Sequence, residues 1–168
     1  AVEAQSLLRR FVKSAGGPPQ SDEYLQFMVD ELKPHIDAHY RTLTGQPHTL
    51  VMGSSMGGLI SLYALCEYPQ VFGGAGCVST HWPAGGRRLV KAMGMALPRA
   101  GQHKLYFDFG TTTLDESYEA FQRTMDKWVQ AAGYRDGMDW ITRKFEGDEH
   151  SERAWRARVD LPLGFLLG

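Results

Sequence analysis

A chain of 168 residues, 43% apolar and 22% charged, is long enough to bury a core and has the balance of one globular domain. Its formal charge is −1, with basic residues scattered among acidic ones, which excludes the dense positive footprint of a nucleic-acid binder and points to small neutral or mixed partners. No apolar run approaches the roughly 20 residues that cross a bilayer, and AVEAQSLLRR lacks the order of a signal peptide, so no membrane association is expected and the cytoplasm is favoured.

The chain opens on Ala1 rather than Met, so residue 1 need not be where the natural product starts. A single domain is predicted over 1–168, with an N-terminal helix and linker at 1–19 and the core at 20–168. Leu7, Leu8, Phe11 and Val12 form a short helical stripe, and SAGGPPQ at 14–20 reads as a linker. Ser21 suits an N-cap for a helix whose Leu25, Met28, Val29, Leu32 and Ile36 repeat at helical spacing, and Pro34 should kink or end it. HTLVMG at 48–53 is a compact apolar strand that ends in glycine and feeds the helix LISLYALCEY.

The same pairing recurs as GGAGCVS into RRLVKAMGMAL, as KLYFDF into SYEAFQRTMDKWVQAA, and as MDWITRKF into a final helix around AWRARV. In the third of these helices Tyr118, Phe121, Met125, Trp128 and Ala132 share one face, as on a helix packed against a sheet. Strands alternating with helices imply an α/β fold built on a parallel sheet of about four strands with right-handed crossovers. Cys66 and Cys77 fall on a predicted helix and a predicted strand, where buried free thiols are common, and no disulfide framework is implied.

Gly53-Ser54-Ser55-Met56-Gly57 fits G-x-S-x-G between a predicted strand and a predicted helix, the context of a nucleophile elbow in an α/β-hydrolase-type sheet. The glycines are expected because the nucleophile sits in a strained turn and side chains at the flanking positions would collide with the adjacent strand or helix. Ser55 is thereby the expected nucleophile, and the amide of Met56, at the start of a helix, an oxyanion donor. Ser54 is disfavoured because Met52 stands where its preceding glycine should be. A phosphate-binding loop is a poor alternative, since no Lys follows Gly58.

In this fold the acid and then the base follow the serine in the chain. His35, His39 and His48 precede Ser55, and His103 opens a strand at the opposite end of the sheet. His150, in the loop EGDEHSERAW after the last strand, is the expected base; as an alternative it is a loop residue that helps begin a helix. Asp115 in GTTTLDES is the expected acid, although it also suits a helix N-cap; Asp108 lies inside a strand and Glu116 could close a capping box with Thr113. His81 and Trp82 in STHWP are expected to line the substrate pocket, with a core position for Trp82 as the alternative. No His, Asp or Glu pair has convincing metal-ligand spacing, and Glu146, Asp148, Glu149, His150 and Glu152 read as a polar loop around the base.

These residues resemble the esterase family that includes enterochelin esterases, feruloyl esterases, esterase D and mycolyltransferases, over most of 20–168. The likeness rests on ELKPHIDAHYRT at Glu31 to Thr42, GSSMGGLISLYA at Gly53 to Ala64, YPQVFG at Tyr68 to Gly73, STHWP, DFGTTTLDESY and GDEHSERAWRARVDLPLGFLL. It implies nucleophile Ser55, acid Asp115, base His150, oxyanion donor Met56 and a small or short-chain acyl ester hydrolysed through an acyl-enzyme without metal or organic cofactor. Acyl transfer to an alcohol and a non-catalytic binding or assembly module are the alternatives.

Family members normally carry several strands before the elbow, whose loop supplies a second oxyanion amide, and those strands are missing here. The chain thus reads as the C-terminal half of the usual fold, either a fragment or a minimal form completed by association. The elbow strand should then be an open sheet edge, where a twin chain could pair in a two-fold homodimer with elbow strands antiparallel.

Overall fold

The computed structural model describes residues 20–168; the helical stripe and most of the linker expected at 1–19 lie outside them. A long helix opens the described chain as α1 (Ser21–Gln26), a π-helical stretch Phe27–Leu32 and α2 (Lys33–His39). Gln20 rather than Ser21 occupies the N-cap, and Ser21 is already helical. Pro34 does not end the helix: it stands in the first turn of α2 directly after the π-helical stretch, whose wider turns accommodate a residue without an N–H.

The sheet is formed by β1 (Leu50–Ser54), β2 (Gly74–Val78), β3 (Lys104–Gly110) and β4 (Trp140–Phe145). They lie in the order β1-β2-β3-β4, all parallel. Between them run α3 (Met56–Glu67), α4 (Gly86–Ala96) and α5 (Glu119–Ala131), and the expected final helix is divided into α6 (Glu152–Ala157) and α7 (Asp160–Leu167). The α/β class with about four parallel strands is therefore what the chain adopts.

Alternation along the strands explains the two faces. Ala75, Cys77, Leu105 and Phe107 point into the main core with Leu59, Leu62, Val90, Met125 and Val129 from the crossover helices. Alternate positions reach the other face, where Tyr106 meets Phe165 of α7 and Arg158 pairs with Asp108. Burial raises both thiol pKa values, and Cys66 and Cys77 are free cysteines.

β1 is an edge strand among the described residues. Thr49 O accepts from Gly73 N and Ser55 N donates to Val78 O, so the odd-numbered residues of β1 bond to β2. The N–H and C=O groups of Leu50, Met52 and Ser54 consequently point away from the sheet, and the Met52 side chain is exposed.

Candidate functional site

The carboxyl ends of the strands present the site. Leaving β1, the chain turns sharply at Ser55, whose φ of 57° and ψ of −118° lie outside the regions that L-residues favour. A Cβ at Gly53 would fall 2.7 Å from the Gly57 carbonyl, which is why the turn requires glycine there. The expectation for Gly57 is corrected: a Cβ there meets nothing within 4 Å, because Gly57 borders a small cleft shared with Tyr24, Leu25 and Met28. The turn is held from its other side, where Ser55 O accepts from the N–H of His81 in the loop after β2. Met56 begins α3, so its N–H is among the helix-leading amides that have no intrahelical acceptor.

Ser55, His150 and Asp115 are brought together in one hydrogen-bonded line. His150 Nε2 lies 2.8 Å from Ser55 Oγ, and His150 Nδ1 lies 2.6 Å from Asp115 Oδ1. Asp115 is fully buried and sits in a 3₁₀ turn, Thr113–Ser117, rather than capping a helix. Its Oδ2 accepts from Gly110 N at 2.6 Å and from Ser79 Oγ at 2.7 Å. Neither rival carboxylate reaches His150: Asp108 is paired with Arg158, and the capping box expected of Glu116 and Thr113 is replaced by a bond from His150 N to Thr113 Oγ1 at 2.8 Å.

That last bond belongs to a set that the sequence reading overlooked. Thr111 Oγ1 accepts from Gly147 N, Thr112 Oγ1 donates to Asp148 O, and Thr113 Oγ1 receives His150 N. Three successive threonines thus join the loop that carries Asp115 to the loop that carries His150. The run Thr111-Thr112-Thr113 next to a glycine was the visible signal.

His81 stands at the rim, with its ring 6.3 Å from that of His150 and its Nδ1 2.5 Å from the Tyr118 hydroxyl. Burial, and then the nearby His150, hold the His81 pKa below its ordinary value. Trp82 is corrected to a core residue: it is 1% exposed, packs against Phe107 and donates Nε1–H to Gln122 Oε1 at 3.1 Å. Trp155 of α6 was not anticipated; its ring stands edge-on to His150 at 4.9 Å. Beside it a cleft of about 330 Å³ is lined by Met52, Val78, Val159 and Pro162 and by the charged Asp108 and Arg158, while Ser55, Asp115 and His150 are not among its lining residues.

Three carboxylates of the polar loop are engaged by cations, Asp148 with Arg158, Glu149 with Arg153 and Glu146 with Lys144. Among the described residues no group of three or more His, Cys, Asp or Glu is disposed to hold a metal ion, and no helix is long and apolar enough to cross a membrane.

The parallel sheet flanked by helices, together with the family match, supports the α/β-hydrolase class. The sequence matches the "Putative esterase" family over residues 2–160, and the chain belongs to that family. It is 35% identical over 81 residues to the uncharacterized protein YbbA of Bacillus subtilis, a stretch of 47% of this chain and 31% of that protein. Similar solved structures include the enterobactin esterase of Shigella flexneri, with TM-score 0.64, 19% identity, and coverage of 99% of this chain and 40% of that one. The BES protein of Bacillus cereus gives TM-score 0.72 and 14% identity over 96% of this chain and 63% of that one. A ferulic acid esterase of Anaeromyces mucronatus gives 0.63 and 18% over 88% and 56%. The chain spans less than two thirds of the length of each of these relatives.

Proposed function

We propose that this chain carries out carboxylic ester hydrolysis through an acyl-enzyme on Ser55, with His150 as base and Asp115 as acid. The observation that carries the reading is the unbroken hydrogen-bonded line from Asp115 through His150 to Ser55. Ser55 Oγ attacks the ester carbonyl carbon as its proton passes to His150 Nε2, and Asp115 stabilises the imidazolium. Negative charge forms on the carbonyl oxygen and is met by the Met56 amide. Collapse expels the alcohol, which takes the proton from His150. Water then repeats the sequence on the acyl-enzyme, releasing the acid and restoring Ser55. No step calls for a metal or organic cofactor.

The substrate of this reading is a small or short-chain acyl ester, with His81, whose ring stands 6.3 Å from that of His150, contacting it. Family membership and the likeness to proteins named as ferulic acid and enterobactin esterases support ester chemistry. The test is release of p-nitrophenol from a short acyl ester. Ser55→Ala should lower turnover by at least about a thousandfold with the fold intact, and unchanged turnover would remove Ser55 from the mechanism.

Two further readings stand beside the esterase. The chain's open β1 edge supports a two-fold homodimer with β1 strands antiparallel, pairing the outward groups of Leu50, Met52 and Ser54. The second is a binding module on a hydrolase scaffold. Stoichiometric labelling by a fluorophosphonate decides for the esterase, and a folded sample that does not label decides for the module.

A further inference from the structure

Arg158, in the short connection between α6 and α7, is 4% exposed and lies among acceptors. Its Nη2 donates to Asp108 Oδ1 at 3.0 Å and to Ser79 Oγ at 3.0 Å, its Nε to Asp108 Oδ2 at 3.3 Å and its Nη1 to Asp148 Oδ2 at 2.8 Å. Its guanidinium also stacks over Phe145, 4.7 Å from the ring centre. Ser79 is wholly buried, has a φ of 42°, and is fixed by its own N–H to Asp108.

The donor inventory gives this arrangement a direction. A guanidinium only donates, so the contact with Arg158 uses a lone pair of Ser79 Oγ and leaves the single hydroxyl proton to point at Asp115 Oδ2. Oδ2 is then occupied by that proton and by Gly110 N–H, which leaves Oδ1 for His150 Nδ1–H. With its proton on Nδ1, His150 offers the Nε2 lone pair to Ser55 O–H. We infer that Ser79 and Arg158 are positioning residues that act through Asp115 to fix the tautomer and the basicity of His150.

The inference rests on the reading of Ser55, His150 and Asp115 as nucleophile, base and acid. The groups that face His150 are Asp115 and Tyr118 from the segment after β3, His81 from the loop after β2, Trp155 from α6, and Ser55 itself. Among the ion-paired groups around them, Arg158 is the buried cation that touches Ser79, while Asp108 and Asp148 occupy its remaining donors.

Replacing Ser79 by Ala removes one donor from Asp115, concentrates charge on the carboxylate and favours the imidazolium. The experiment follows the His150 ring signals by NMR against pH in the full chain and in Ser79→Ala. The midpoint should move upward by about half a unit to one unit. In turnover the acid limb of kcat/KM should move the same way, and kcat should fall more than KM changes.

Arg158→Lys is the second variant, since a lysine keeps the charge beside Asp108 but loses the fork that also reaches Ser79. It should move the midpoint in the same direction if Ser79→Ala does not fold. An unmoved midpoint in a folded variant overturns the inference. A moved midpoint in a protein without esterase turnover upholds the inference and removes the esterase reading.

Discussion

Both oxygens of Asp115 are engaged by neighbours within 2.7 Å, and its surroundings leave little room for error. Gly110 shows how little: a Cβ there would fall 2.3 Å from Asp148 O and 3.2 Å from Asp115 Oδ2. Gly110→Ala must therefore displace the loop that carries His150, and should cost about 1–3 kcal/mol of stability, read by chemical denaturation, together with turnover. His81 supplies a pH dependence. Its folded pKa is held low by burial and by His150, so the unfolded chain binds that proton more readily. Its contribution to stability is full above the ordinary histidine range and is lost as pH falls through the lowered folded value. Melting temperatures should decline with falling pH below about 6.5, and His81→Asn should flatten the decline.

At the scale of elements, two loops and one strand matter most. The threonine joint between the loops after β3 and β4 holds the loop that carries His150 against the loop that carries Asp115. Thr113→Val keeps the branched shape and removes the acceptor of His150 N; because that contact is solvent-accessible, water can replace it and Tm should scarcely change. Activity should fall about 10- to 100-fold through misplacement of His150. On β1, Met52→Pro removes an N–H that points away from β2, so it should leave the sheet intact while abolishing edge pairing. Sedimentation should show a dimer for the parent and a monomer for the variant; a parent that is monomeric at every concentration removes the dimer.

Elements of this kind also explain what the sequence could disclose. That Ser55, Asp115 and His150 would lie close together was legible because each follows a strand at a local turn; their hydrogen-bonded line is observed, and their roles belong to the proposal. Trp82 was not legible, because its burial depends on Gln122, forty positions on. Arg158 and Asp108 lie fifty residues apart and look locally like any basic residue beside a helix and any polar residue in a strand. The π-helical passage before Pro34 likewise has no one-residue signature, since local propensity sets only a weak preference between helix forms.

For the molecule as a whole, the proposed esterase and the proposed dimer are linked by mass action: if a twin chain at the β1 edge contributes to the site, specific activity should rise with protein concentration, and a dilution series reads this directly.

The sheet order has a further consequence, for assembly. Among the described residues every strand pairs with its neighbour in sequence, yet Ser55 and His150 are 95 positions apart, so the chain can lay down its sheet in local steps and join these two residues only when β4 docks. On the proposed role of Ser55, its labelling should therefore be the property most easily lost on loosening β4: in mild denaturant, fluorophosphonate reactivity should fade before far-UV ellipticity does, which makes Ser55 a reporter of whether the segment that carries His150 has docked.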